Sequence, residues 1–269
     1  MTIFIKYPRQ TKKRNKEWIK KMESKNINWA QIGGWFDSDG SFSIDKQGNG
    51  STKTIAACKI SLKDRDPVEF FARLFETTLH GGWTNTTTPD GKKHRVFIYV
   101  ARLRSERAFW FANHVKKYIQ QKTAALQKVL QKGKINNFVP YSEKWSREEW
   151  IAYMATLIEG DGGYRKNVLG GGHICMLNSS NENFLKYIRK ELTRQKLANF
   201  GKIHKHLFIK QRIPRKKPMY SFYLLRDEYI ISFLESMLPY ATMGRKKQYM
   251  IDNINQLKKQ SKYIKHEME

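Results

Sequence analysis

Ile32-Gly33-Gly34-Trp35-Phe36-Asp37-Ser38-Asp39-Gly40 returns later in the chain as Met154-Ala155-Thr156-Leu157-Ile158-Glu159-Gly160-Asp161-Gly162. In both copies an apolar run with small residues ends in acid, small residue, Asp and Gly. Asp39 and Asp161 stand 122 residues apart (161 − 39), about the size of a small domain. Each copy reads as a helix with its own start and stop. Ser146-Arg147-Glu148-Glu149 is a capping box, with a hydroxyl at N-cap and Glu three residues on. Before the first copy, Asn28 caps and Gln31 holds the matching third position. Gly40 and Gly162 are placed to take the positive φ that ends a helix. Gly33, Gly34, Ala152 and Ala155 are small, and small residues let two helix backbones approach closely. If the two copies pack on each other, their C-terminal ends meet and Asp39 lies beside Asp161. Two carboxylates that close repel, and a shared proton or a cation makes the pair tolerable. Oxygen ligands favour Mg²⁺ or a similar hard ion. One acid–Gly turn after an apolar helix is ordinarily a C-cap. Two copies, each followed by an alternating run, are harder to explain that way.

The 269 residues suit one large domain or two of ordinary size, and the repeat favours two similar halves sharing one core. Lys and Arg number 51 against 24 acids, a formal net charge of +27. No single helix face accounts for that excess, so the expected partner is a polyanion, with nucleic acid the default. A membrane is the rival, but no long apolar run or strongly amphipathic basic helix supports it. Cys58 and Cys175 both fall in strand-like runs and read as two buried thiols rather than a disulfide. No CxxC or Cys/His cluster suggests zinc. Residues 1–26 are basic and lack the apolar core of a secretory signal.

Taken in order, residues 1–27 form a basic N-terminal extension: a floppy tail, or a clamp on phosphate backbone. Within it Trp18, Ile19 and Met22 share one face of a short helix. Residues 28–132 form the first half, 133–146 a linker, 147–258 the second half and 259–269 a tail. After the first motif, Ser41-Phe42-Ser43-Ile44-Asp45-Lys46-Gln47 alternates with period two. Lys53–Lys63 follows as a second strand, then a helix from Asp66-Pro67. Gly81-Gly82 breaks the chain before a hairpin of Trp83–Thr88 and Lys93–Ala101, in which Val96, Ile98 and Val100 form the apolar side. Ser105 caps the next helix, and a further helix runs from about Gln121 to Gln131. The order is αββαββα plus α. The second half repeats it, with strands at His173–Asn178, Lys202–Lys210 and Met219–Leu225. A basic loop covers Arg212, Arg215, Lys216 and Lys217, and Asp227 caps the helix after the last strand. A sheet with one apolar side under helices leaves its other side open. A β-ribbon fits the major groove of DNA, where base edges are distinguishable. The candidate DNA-reading residues are Ser41, Ser43, Asp45, Gln47, Lys53, Lys59, Ser61, Lys63, Lys93, Arg95, Tyr99, Arg165, Asn167, Lys202, His204, Arg212 and Arg215.

The duplicated phrase resembles the motif of the LAGLIDADG homing endonucleases in their single-chain, two-motif form, over roughly Asn28 to Leu257. The second copy departs twice: Thr156 stands where the family usually has Gly, and Glu159 replaces the first motif Asp. The resemblance implies an α+β fold of two pseudo-two-fold-related αββαββα halves packed through the motif helices. These would form a saddle of antiparallel β-sheets that sits on DNA. It implies a monomeric, intron-encoded endonuclease that makes a double-strand break with short 3′ overhangs in a long, asymmetric target. Two sheets, each following about one helical turn, cover roughly 20 base pairs. By the same resemblance Asp39 and Asp161 bind Mg²⁺ or Mn²⁺ and are catalytic, with the Ser38 and Gly160 carbonyls as further candidate ligands. A polar residue ending each half's second strand, Asp64 and Asn178, orients water. A Lys near each last helix, Lys122 and Lys247 with Lys246 as alternate, stabilises the phosphate. The alternatives are a maturase that binds intron RNA and a DNA-binding regulator without activity; the fold serves any of these. Retention of both Asp39 and Asp161 favours the enzyme. The setting is an organelle (chloroplast or mitochondrion) or a bacterial or phage cytoplasm.

Overall fold

The computed structural model describes residues 2–8, 11–46, 52–87, 92–135, 138–139, 144–164, 173–209, 213–225 and 229–266. The chain divides into two units, built chiefly from Met1–Thr88 with Lys93–Lys144, and from Trp145–Glu269. The first contains β1 (Thr2–Ile5), α1 (Lys12–Glu23), α2 (Trp29–Ser38), β2 (Gly40–Lys46), β3 (Thr54–Leu62), α3 (Arg65–Leu74), β4 (Leu79–Thr87), β5 (Lys93–Arg104), α4 (Ser105–Val115), a 3-10 turn (Lys116–Tyr118) and α5 (Thr123–Lys132). The second contains α6 (Arg147–Asp161), β6 (Gly162–Tyr164), β7 (His173–Ser179), α7 (Glu182–Arg194), β8 (His204–Ile209), β9 (Ile213–Leu225), α8 (Ile230–Met237) and α9 (Gly244–His266). From α2 onward the first unit runs αββαββα plus α, and the second runs the same way. The sheets are antiparallel, with strand orders β1-β4-β5-β3-β2 and β6-β7-β9-β8. No helix of the described residues is long and apolar enough to cross a membrane.

The motif helices begin as their sequences require. Asn28 accepts the Gln31 N–H at 3.0 Å, and Ser146 and Glu149 close a reciprocal capping box; such caps contribute about 1 kcal/mol each. In the first unit helices cover one side of the sheet, and Phe36 of α2 joins Phe71, Phe75 and Phe111 in a buried aromatic cluster. In the second, Phe184, Leu185, Ile188, Leu177, Phe222 and Phe233 are buried. Cys58 and Cys175 are buried free thiols. Burial pushes Cys175 up to about 12 and raises Cys58 as well, so neither is poised as a thiolate.

Several expectations are corrected. The N-terminal extension is not a tail: β1 joins the sheet edge beside β4 and α1 docks through buried Trp18 and Met22. The Trp18 indole N–H donates to the Phe75 carbonyl at 2.8 Å, and the Arg107 guanidinium stacks over that ring at 4.8 Å. Gly40 and Gly162 do not end their helices with positive φ; Gly162 is extended at φ −107°. They are glycine because the strand leaves hard against the helix. A Cβ at Gly40 would meet the Phe36 Cα at 2.5 Å, and one at Gly162 the Ile158 carbonyl oxygen at 2.8 Å. Gly81 and Gly82 lie inside β4 rather than breaking the chain, and the space beside Gly81 is taken by the Phe4 and Phe97 rings. Arg104, not Ser105, is the N-cap of α4, and Ser105 sits at φ 51°. β9 already begins at Ile213, so Arg215–Lys217 are strand rather than loop. α9 continues to His266, through most of the expected tail. Asp227 and linker residues 136–137 and 140–143 lie outside the described residues.

Gly33 was expected to let the motif helices approach each other. Its missing side chain is instead used within the first unit, where a Cβ would stand 2.4 Å from the Tyr118 Cβ and 3.0 Å from the Tyr118 carbonyl oxygen. Gly163 has nothing within 4 Å of the same position. Gly33→Ala is expected to destabilise by about 1–3 kcal/mol through overpacking, even against the better helix propensity of Ala. Gly163→Ala is expected to stay within about 0.5 kcal/mol of the parent. Thermal melts of the two variants check the contrast.

Candidate functional site

The four acids of the two motif copies fall into two kinds. Asp37 is fully buried and Glu159 is 1% exposed. The Asp37 carboxylate accepts the backbone N–H groups of Gln120, Gln121 and Lys122 at 2.6, 3.0 and 3.1 Å. Glu159 accepts the N–H groups of Thr242 and Met243 at 2.6 and 2.8 Å and the Thr242 hydroxyl at 2.9 Å. Both acids thus hold the segment that leads into the unit's last helix, where unsatisfied N–H groups and the helix dipole favour an anion. The sequence separation is 83 residues in both units. Asp39 and Asp161 differ from these: both are partly exposed. Asp39 is the C-cap of α2, and Asp161 is the last residue of α6.

A lysine closes each helix end. The Lys122 ammonium donates to the Ser38 and Gly40 carbonyls, both at 2.6 Å. In the second unit Lys246, the alternate, takes this place rather than Lys247. Its ammonium donates to the Gly162 carbonyl at 2.9 Å and reaches those of Ile158, Glu159 and Gly160. Cations are favoured there because the carbonyls ending a helix carry partial negative charge. These bonds bear on the candidate metal ligands. An ammonium already sits on the Ser38 carbonyl and approaches that of Gly160 at 3.5 Å, so a metal there would share its oxygen with a like charge. The side chains of Asp39 and Asp161 are the better-fitting donors: hard carboxylate oxygens, partly exposed, at a helix end that attracts cations. Among the described residues no three His, Cys, Asp or Glu side chains converge as a metal cage. One carboxylate per unit still suits Mg²⁺, which completes its shell with water and phosphate oxygens.

The register corrects the expected water-orienting pair. Gly40 pairs with Ile60 and Gly162 with Leu177, so the residue equivalent to Asn178 in the first unit is Ser61, and the equivalent of Asp64 in the second is Asn181. Asp64 and Asn181 are the N-caps of α3 and α7. Both second strands end at the same position, Leu62 and Ser179, so Asn178 lies inside its strand while Asp64 lies two residues beyond its own. Asn178 lies close to the site, its side-chain amide donating to the Asp161 carbonyl at 3.5 Å.

The same register sorts the candidate DNA-reading residues by face. Ser41 is opposite Lys59, which is opposite Arg102; Ser43, Asp45 and Ser61 share that open side. Lys93, Arg95 and Tyr99 alternate in step with buried Ala101 and Leu103, so they lie on the opposite face of the sheet, where Lys93 and Arg95 are exposed at the far end of β5. Both alternating sets of β5 are apolar, Val96-Ile98-Val100 and Phe97-Tyr99-Ala101-Leu103, and pairing with β3 decides between them. Ending the strand at Ala101 also hid Arg102 and Arg104, whose alternation with Ala101 and Leu103 was the available signal. His80, opposite Val100, joins them on the open side. Burial and the Arg102 and Arg104 guanidinium groups hold its pKa below the ordinary histidine value, so at neutral pH it faces solvent uncharged, as a donor and acceptor. Asp45 pairs with Arg102 at 3.4 Å. In the second unit His204, Ser221 and Asn178 share one side, and the His206 Nε2 and Ser221 Oγ lie 2.7 Å apart. Lys53 and Lys63 flank β3 as exposed residues, and Lys202 precedes β8. Gln47, Arg165, Asn167 and Arg212 lie outside the described residues, as does the side chain of Arg215.

No family model and no curated protein matches the sequence. Among solved structures, the chain is similar to the homing endonuclease I-WcaI bound to its DNA recognition sequence, with 15% identity over 89% of this chain and 94% of that one, TM-score 0.49. It is also similar to the LAGLIDADG homing endonuclease I-GzeII in complex with its DNA target, with 15% identity over 90% and 92%, TM-score 0.49. A third is the LAGLIDADG meganuclease I-AabMI bound to uncleaved DNA, with 14% identity over 90% and 92%, TM-score 0.48. At this identity and overlap the likeness assigns no activity to the chain.

The two faces of the first sheet make different demands on a polyanion. Lys59→Ala and Arg102→Ala are each expected to weaken binding of duplex DNA and to lower the slope of log affinity against log salt by about 1. Arg95→Ala is expected to leave that slope unchanged. Salt titrations by fluorescence anisotropy measure all three; equal effects from both faces would contradict the assignment.

Proposed function

We propose that the chain is a site-specific DNA endonuclease of the homing type, which breaks both strands of a long, asymmetric duplex by divalent-metal-dependent phosphodiester hydrolysis. The observation that carries the reading is a helix end built twice. In each unit the first motif acid is buried and spent on backbone N–H groups, and the second stays partly exposed beside a lysine ammonium. An exposed acid at a helix C-terminus is unfavourable by about 0.3–1 kcal/mol. A protein that only bound nucleic acid would gain nothing by repeating it next to phosphates.

Hydrolysis needs a water aligned with the leaving oxygen and charge stabilisation at phosphorus. Mg²⁺ or Mn²⁺ held by Asp39 and Asp161 would polarise the phosphoryl oxygen and lower the pKa of the attacking water. The water oxygen bonds to phosphorus, one ester P–O bond breaks, and the leaving oxygen takes up a proton. The chain's own residues supply the rest. The open faces carrying Ser41, Ser43, Lys59, Ser61 and Arg102, and Asn178 and His204, hold the duplex. Lys122 and Lys246 keep the two helix ends closed and place positive charge near the reacting phosphates. Asn178, already in contact with the Asp161 carbonyl, orients water on its side. The reading requires Asp39 and Asp161 each to serve one strand, as a single chain with both motif copies can do. The halves differ in detail, which suits a target without symmetry, roughly 20 base pairs if each sheet follows one helical turn.

The test uses a target selected from a random duplex library by cleavage. Asp39→Asn and Asp161→Asn are each expected to lower double-strand cleavage by at least about a hundredfold while specific binding in Ca²⁺ stays within about threefold of the parent. A variant that still cuts both strands at the parental rate would remove the paired-acid mechanism.

A further inference from the structure

The buried acids hold the segments that carry the two lysines. Asp37 gathers the N–H groups of residues 120–122, and Lys122 then reaches carbonyls on both sides of Asp39, those of Ser38 and Gly40. Glu159 gathers residues 242–243, and Lys246 reaches carbonyls on both sides of Asp161, those of Gly160 and Gly162. The local spacings differ. In the first unit the lysine is itself one of the residues gathered; in the second it lies three residues further on, and the acid is longer by one methylene. Two different spellings therefore arrive at one arrangement: a carboxylate tethers the start of the last helix to the end of the motif helix, and a lysine from that start brackets the exposed Asp.

We propose that Asp37 and Glu159 are positioning residues, each setting the lysine beside the metal-binding Asp of its own unit and so governing cleavage of one DNA strand. The proposal rests on the endonuclease reading above. An amide in place of either acid keeps one acceptor oxygen but turns an N–H₂ group toward backbone N–H donors, so the tether loosens and the lysine is no longer held in place.

The experiment is strand-resolved cleavage of a selected duplex target carrying a different fluorophore on each strand, below the melting temperature of every variant. Asp37→Asn is expected to slow one strand at least tenfold and leave the other within twofold, so a nicked duplex accumulates. Lys122→Met is expected to slow the same strand, and the double variant to be no slower than Lys122→Met alone, because coupled residues are not additive. Glu159→Gln and Lys246→Met are expected to behave alike on the opposite strand. Asp37→Glu, which installs the acid the second unit already uses, is expected to recover cleavage relative to Asp37→Asn. A purely structural role predicts otherwise: both strands slowed together, with the effects of Asp37→Asn and Lys122→Met multiplying. Either result overturns the proposal. If Asp37→Asn does not fold, the strand preference of Glu159→Gln and Lys246→Met decides. A parent protein that cuts no duplex removes the endonuclease reading itself, a failure seen before any variant is compared.

Discussion

A helix that ends in carbonyls and an acid gathers negative charge at one place. Both motif helices end in that way, and their surroundings answer the charge. At each end a lysine ammonium lies across the last carbonyls, and the first acid is turned away onto N–H donors that want it. Each end also carries one partly exposed aspartate, Asp39 or Asp161. The glycine that follows lets the first strand depart directly against the last helical turn, since any Cβ would strike residue 36 or 158.

Much of this was legible in the sequence. The repeat, the two caps and the order of helices and strands from each motif helix onward could be read from spacing and residue type. The role of Asp37 and Glu159 could not, because it depends on main-chain N–H groups 83 residues away, and backbone donors leave no mark in a sequence. The two sides of β5 were misread because both alternating sets are apolar, and only pairing with β3 separates them. The choice between Lys246 and Lys247 turns on one helical position, a 100° difference that net charge does not report. Gly40 and Gly162 were assigned to helix stops by composition, whereas their use is steric.

The N-terminal extension carries a similar lesson. Its lysines suggested a tail, but Trp18, Met22 and Asn15 are buried. The Asn15 amide joins Glu106 and Arg107, so the first unit has a strand and a helix that the second unit lacks among its described residues. The sheet faces differ as well: arginines, lysine and serines on the first, histidines and Asn178 on the second.

The central claim is that one divalent ion position belongs to each motif helix end. Fe²⁺ substituted for the native ion in the DNA complex, with ascorbate and peroxide, cuts the polypeptide next to wherever it binds. The account expects fragments ending near Asp39 and near Asp161, with Asp39→Asn losing the first cut. Cuts confined to other regions, or fragments unchanged by Asp39→Asn and Asp161→Asn, would contradict it.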